Sequence, residues 1–282
     1  MSQGSLLSGL IGLTRPVNAA ISFLSIGMGA AVTGTLEPGV KVLLAALSGT
    51  LIGSAGNAIN DYYDIDIDRI NKPHRPIPSG RVSPRQAMAL AIALFVAGVA
   101  MAFGVGPAAV LVASVATLLL VAYSCWLKRT ALWGNLTVSA VTGAAFVYGG
   151  LAVGRVRAAL IPAGFSFLFH LGREIVKDVE DLPGDRQARA KTLPILHGVR
   201  AAQWAVTVVF SLLIVATWLP YVFDLYNQLY LWIVILGVDT VLVYSLLVLW
   251  TDIRPKRLAF VSNLLKADML VGLLAIYLGR QG

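Results

Sequence analysis

The acidic residues of this sequence are not spread as a solvated surface would spread them. Of 14 in all, Asp61, Asp64, Asp66 and Asp68 crowd one short segment, and Glu174, Asp178, Glu180, Asp181 and Asp185 crowd another. Asn60-Asp61-x-x-Asp64-x-x-x-Asp68 sets three carboxylates at intervals of three and four residues, and Asp178-x-x-Asp181-x-x-x-Asp185 repeats those intervals. If a helix continues through such a segment, the spacing puts three carboxylates on one stripe, where they repel one another and oppose the helix dipole. A bound cation relieves both effects. Hard oxygen donors with no His or Cys in the stripe select Mg²⁺ or a similar ion, and Mg²⁺ is usually shared with substrate phosphates. The candidate metal ligands are therefore Asn60, Asp61, Asp64, Asp68, Asp178, Asp181 and Asp185.

Basic residues accompany each stripe. Arg69, Lys72, Arg75 and Arg81 follow the first; Arg173 and Lys177 precede the second, and Arg186, Arg189 and Lys191 follow it. Acids that hold metals beside bases that contact phosphate oxygens make a diphosphate clamp. For any single base taken alone, a positive-inside topology is the better account. Asp66 and Glu180 lie off the stripes, His74 and His197 have no second ligand at metal spacing, and His170 sits inside an apolar run as an expected partner for a neighbouring helix.

The elements that carry these residues are apolar. Hydrophobic types make up 57% of the 282 residues and charged types 13%, with a mean hydropathy of +0.78. A soluble domain is about a quarter charged, so lipid is the solvent. Runs long enough to cross a bilayer fall at about 17–35, 42–59, 84–104, 107–126, 132–153, 158–176, 201–221, 229–250 and 259–279. Arg15-Pro16 leads into the first of these without the short apolar core of a cleaved signal, so it is read as a span. Ser83-Pro84 opens the third as N-cap and first-turn proline. The single Cys125 excludes a disulfide framework.

With nine crossings, most of the 22 Lys and Arg fall in the N-terminus and in the loops that carry the acidic motifs. That side is expected to be cytoplasmic, with the N-terminus inside, the C-terminus outside and the site facing the cytoplasm. The bias also accounts for the high isoelectric point without invoking nucleic acid. Four spans per unit return both motifs to one face, so the repetition is parallel, not inverted. The chain is expected to be a single domain over 1–282, with halves at about 15–130 and 131–250 and a last helix at 259–279.

Asn60-Asp61-x-x-Asp64-x-x-x-Asp68, continuing as Asn71-Lys72-Pro73-x-Arg75-Pro76-Ile77-Pro78-Ser79-Gly80, resembles the first signature of the UbiA superfamily of intramembrane prenyltransferases, and Asp181-x-x-x-Asp185 with Lys191-Thr192 resembles the second. Arg15-Pro16-x-Asn18, Tyr123-x-x-x-Leu127-Lys128 and Lys266 extend the likeness along nearly the whole chain. The resemblance implies an all-α membrane protein of nine helices around a central cavity, two four-helix repeats plus one. It also implies two Mg²⁺ ions bridging the Asp motifs and the diphosphate of an allylic prenyl donor. On this reading Asp61, Asp64, Asp181, Asp185, Lys128 and Tyr148 are catalytic, and Arg15, Asn18, Asn60, Arg69, Lys72, Arg75, Arg173, Lys177 and Lys191 bind substrate.

The run Gly172-Arg173-Glu174-x-x-Lys177-Asp178-x-x-Asp181-x-x-Gly184-Asp185 resembles the archaeal lipid branch, whose enzymes add a second geranylgeranyl group to geranylgeranylglyceryl phosphate. Arg189 departs from it, standing where that branch carries glycine. Two other readings stay open. One is an aromatic prenyltransferase acting on 4-hydroxybenzoate or a similar quinone precursor. The other is a cation-coupled secondary transporter using Asp239 and Asp268 within the eighth and ninth spans.

Overall fold

A computed structural model describes residues 3–280. Among them, nine helices are long and apolar enough to cross a membrane: Leu6–Ala31, Gly39–Tyr63, Pro84–Phe103, Pro107–Cys125, Trp133–Ala152, Arg157–Glu180, Val199–Val222, Gln228–Thr251 and Pro255–Gly279. These are numbered below as the first to ninth spans. The described residues contain no strand, only an isolated bridge between Tyr226 and Arg280. The third span opens as the sequence suggests, with Ser83 and Gln86 in a reciprocal capping box and Pro84 in the first turn. Outward faces are apolar, as at Leu111, Leu118 and Leu236, so the bundle presents hydrocarbon to its surroundings.

Two boundaries depart from the sequence expectation. The first span begins well before residue 17 and is broken at Arg15, whose φ of 50° and ψ of 75° lie in the left-handed region. Pro16 restricts the residue before it away from right-handed helix, and the chain bends there. The segment ahead of the bend (Gln3–Thr14) packs under the loop after the first motif, with Gly9 against Val82 and Gly12 against Pro76. The second difference concerns the acidic stripes. The second span ends at Tyr63 and a short helix, Ile65–Asn71, follows; the sixth ends at Glu180, followed by Leu182–Gln187. Neither stripe is straight.

Apolar packing gathers in two larger bodies and a smaller third made of Tyr226, Tyr230, Val234, Ala275 and Ile276. Of the larger two, one gathers Leu13, Ile52, Ala55, Ala91, Phe95 and Ala113 from the first four spans; the other gathers Ile175, Val206, Phe210, Leu242, Leu258 and Leu265 from the last four. The first and fifth spans meet where Gly29 lies on the Phe146 carbonyl and Gly149 on the Ile26 carbonyl, so closely that a Cβ at either position would overlap backbone. Small residues are what permit backbones to approach this way in lipid. The eighth span contains a π-helical turn, Val234–Asp239. Trp218 Nε1 donates to Asp239 Oδ2 at 2.8 Å, whereas buried Asp268 in the ninth span has no partner on either oxygen.

Candidate active site

Both motifs are built the same way. At the end of the second span the Asp64 N–H still closes the helix on Asn60 O (2.9 Å), and its φ of −93° and ψ of 5° then turn the chain. At the end of the sixth, the Asp181 N–H closes on Lys177 O (2.8 Å), with φ −85° and ψ 3°. This is the bridge region of backbone space, common at turns and active sites. The first acid of each motif thus stays on its span, the second sits at the bend, and the third rides on the short helix beyond. The two short helices cap one end of the bundle and touch each other. A Cβ on Gly184 would overlap the Asn71 amide, so any side chain there must displace Asn71 for the two short helices to keep their contact.

Beneath the cap lies a cavity of about 620 Å³ walled by the first, second, fourth, fifth, sixth and ninth spans. Its mouth is charged and its interior is apolar, with Ile21, Ile26, Ile52, Val112, Val141 and Met269 on the walls. Four cations at the mouth each hold a motif carboxylate. Arg15 Nη2 reaches Asp61 Oδ1 at 2.5 Å; Arg75 Nη1 donates to Asp61 Oδ1 at 3.1 Å and Asp68 Oδ2 at 2.6 Å. Lys72 Nζ lies 3.2 Å from both Asp181 oxygens, and Lys128 pairs with Asp64. Asn60 Nδ2 donates to Asp64 Oδ2 at 2.8 Å, and Asn135 Nδ2 to Asp178 Oδ2 at 2.8 Å.

The electrostatics follow from this pairing. Burial acts to raise the Asp64 carboxyl, but Lys128, Arg75 and Arg15 outweigh it and hold the group below the usual carboxylate range. Burial wins at Asp68 in spite of Arg75, so its carboxyl is raised. At Asp185, burial first and the Asp181 carboxylate second push the carboxyl up to about 6. Burial acts against the Lys128 ammonium, yet Asp64 more than restores it and raises it above the usual lysine value.

The donor set suits a hard cation. No three acidic, histidine or cysteine side chains among the described residues converge closely enough to enclose an ion by themselves. The acids form two facing rims, and the Asn60 amide oxygen is buried with no partner. Carboxylates from a rim, that amide oxygen and oxygens of a bound phosphate make the mixed, partly substrate-supplied sphere that Mg²⁺ takes.

The expected site residues divide into three groups. Arg15, Asn18, Asn60, Asp68, Lys72, Arg75, Lys128, Arg173, Lys177, Asp178, Asp181 and Asp185 all line the cavity. Asp61 and Asp64 lie behind the cations they hold, each 2% exposed. Arg69 and Lys191 do not line the cavity. Arg69 is exposed and pairs with Asp66 at 3.0 Å, and Lys191 is exposed at a loop whose backbone N–H is bound by Arg129 O. Tyr148 lines the wall, but its hydroxyl is 2.8 Å from Ser48 Oγ, which itself donates to Gly98 O. That oxygen is engaged between helices.

Sequence reasoning missed Asn135, whose signal is an amide at the start of an otherwise apolar span, and the role of Glu174. Glu174 accepts from Lys177 at 3.0 and 3.1 Å and from Arg173 at 3.2 Å. His170 lines the cavity with Nδ1 unpartnered, so it does not bond a neighbouring helix through that atom. Asp239 and Asp268 do not line this cavity; Asp268 faces an adjoining one of about 90 Å³ that shares Ile21, Ser25, Ser166, His170 and Met269 with it.

Residues 20–266 match the UbiA prenyltransferase family. A digeranylgeranylglyceryl phosphate synthase of Methanothermobacter thermautotrophicus is 38% identical over 271 residues, covering 95% of each chain. A solved structure of a digeranylgeranylglyceryl phosphate synthase superposes with a TM-score of 0.76 at 30% identity, over 97% of this chain and 98% of that one. A UbiA homologue from Archaeoglobus fulgidus, solved with GPP and Mg²⁺, shares the fold with a TM-score of 0.70 at 19% identity, over 95% and 99%.

Proposed function

The chain belongs to the UbiA prenyltransferase family, and from that premise we propose that it transfers a geranylgeranyl group from its diphosphate to geranylgeranylglyceryl phosphate, as archaeal membrane-lipid synthesis requires. The observation that carries this reading is the pair of acidic rims, interleaved with cations, at the mouth of an apolar cavity. Likeness to digeranylgeranylglyceryl phosphate synthases over nearly the full chain supports the acceptor.

The chemistry follows from that arrangement. The allylic C1–O bond of the donor breaks and the diphosphate leaves with the electron pair. The acceptor's glycerol oxygen forms the new C–O bond and gives up its proton, which leaves with the released diphosphate or passes to water. Arg15, Lys72, Arg75 and Lys128 line the cavity mouth and on this reading would offset the negative charge that develops on the leaving group. Mg²⁺, two ions on this reading, would be held by Asn60, Asp61, Asp64, Asp68, Asp178, Asp181 and Asp185, and supplies Lewis-acid stabilisation of that diphosphate. The apolar walls keep water from the electron-poor prenyl carbon and accept its tail. Lys and Arg crowd the segments on the cap side, which supports a cytoplasmic cap, an internal N-terminus and an external C-terminus.

Membranes containing the full chain, given geranylgeranyl diphosphate, geranylgeranylglyceryl phosphate and Mg²⁺, are expected to form the diether and release diphosphate. Chelation should stop both. Asp61→Ala and Asp181→Ala should each lower turnover by about 100-fold or more while leaving helical content intact. Prenylation of 4-hydroxybenzoate alone would sink the acceptor assignment, and full activity in both variants would sink the metal model.

A further inference from the structure

We infer that Lys266, with Arg173 and Lys177, forms a second anion site in the cavity wall, which on the function proposed above receives the phosphomonoester of the acceptor, apart from the donor's diphosphate clamp. Lys266 lies in the ninth span, half-buried, and lines the cavity. No carboxylate is within ion-pair distance of it among the described residues, and the charged groups acting on it are Arg173, Arg15 and Lys177, all positive. An ammonium inside a membrane span is costly, and three cationic neighbours make it more so. The arrangement makes sense when an anion occupies it.

The neighbouring cations are already positioned. Glu174, 8% exposed, binds both Arg173 and Lys177, and Arg173 Nε donates to Ser262 O of the ninth span at 3.3 Å. That contact ties the sixth span to the ninth one turn before Lys266. Three cations against one carboxylate leave a net charge of +2. A phosphomonoester carries about −1.5 to −2 at pH 7 and matches it; an aromatic carboxylate, at −1, leaves half of it uncompensated.

This site is separate from the clamp. Arg15, Lys72, Arg75 and Lys128 are each committed to a carboxylate of the two Asp motifs, whereas Arg173, Lys177 and Lys266 touch none of those carboxylates. Asn263, Lys266 and Met269 recur at helical spacing on the cavity side of the ninth span, polar toward the cap and apolar away from it. An amphiphile bound by its phosphate at Lys266 lays its chain along Met269 and Ile21.

The test uses the full chain in membranes and Lys266→Met. The measurement is the preference, in kcat/KM, for geranylgeranylglyceryl phosphate over geranylgeranylglycerol, which lacks only the phosphate. That preference is expected to shrink by about 10- to 100-fold while the KM for the donor diphosphate moves less than about twofold. Lys266→Arg, which keeps the charge, should restore most of it. An unchanged preference, or a loss confined to the donor KM, overturns the site. A binding arm separates this inference from the reading it rests on. Decyl phosphate, titrated with chelator present into solubilised protein, should bind Asp181→Ala like wild type and Lys266→Met at least tenfold more weakly. That result upholds the anion site even if no glycerol lipid is prenylated, and equal binding in both variants overturns it.

Discussion

Asp185 ties the cap to pH. Its carboxyl is held up at about 6 by burial and by Asp181, against an ordinary 3.8. Between those values the folded state binds a proton that the unfolded chain releases, so fold stability rises as pH falls through this window. Metal binding runs the other way, because the proton and the ion compete for one carboxylate. Lowering pH from 7.5 to 5.5 should therefore weaken apparent Mg²⁺ affinity by about fourfold from this group alone. Asp185→Asn should flatten that dependence as measured by Mg²⁺ titration of activity or of thermal shift. A dependence unchanged in the variant would assign the effect to another group. At this scale the sequence was informative about type and misleading about direction. Arg69 and Lys191 sit beside motif acids in the chain just as Lys72 and Arg75 do, but the short cap helix turns Arg69 outward to Asp66, and Lys191 lies on an exposed loop. Spacing along a chain carries no information about which side of a two-turn helix meets the cavity.

Among the elements, the spans were legible because hydropathy summed over twenty residues averages out local exceptions. The breaks were not, because a single left-handed residue at Arg15 or a bridge-region aspartate at 64 and 181 leaves that average untouched. Arg189 is an instructive case. The resemblance leads one to expect glycine at this position, and the φ of 52° at Arg189 is in the region that favours glycine. Its side chain is exposed, so Arg189→Gly loses little contact and relieves backbone strain. We expect a gain of about 0.5–1 kcal/mol, the strain relief exceeding the extra freedom given to the unfolded chain, readable as a higher thermal midpoint in detergent; a lower midpoint would show that the guanidinium matters more than the backbone. Gly184→Val tests the opposite case. Side-chain atoms there must displace Asn71 and part the two cap helices, so activity should fall by tenfold or more. Helical content should stay at the wild-type level, since neither cap helix is part of a span. Undiminished activity would mean the cap need not close for turnover.

For the whole molecule, the pattern of basic residues makes a directional statement that nothing inside the bundle makes. Nine crossings would put the two termini on opposite sides. A fluorescent protein that matures only in the cytoplasm should glow on the N-terminus, and alkaline phosphatase, active only outside, should work on the C-terminus. The reverse pattern would place the cap outside. The first and fifth spans, brought together at Gly29 and Gly149, and spans of both larger apolar bodies all contribute to the cavity wall.

That cavity has a charged rim and an apolar interior within the thickness of a bilayer. Both prenyl-bearing reactants and the diether then partition in two dimensions, while diphosphate alone departs into bulk solution. Rates should consequently scale with the mole fraction of each lipid in the surrounding film, not with its amount per millilitre. Adding inert phospholipid at fixed total substrate should slow the enzyme by surface dilution, and accumulation of diether should inhibit it from within the same film.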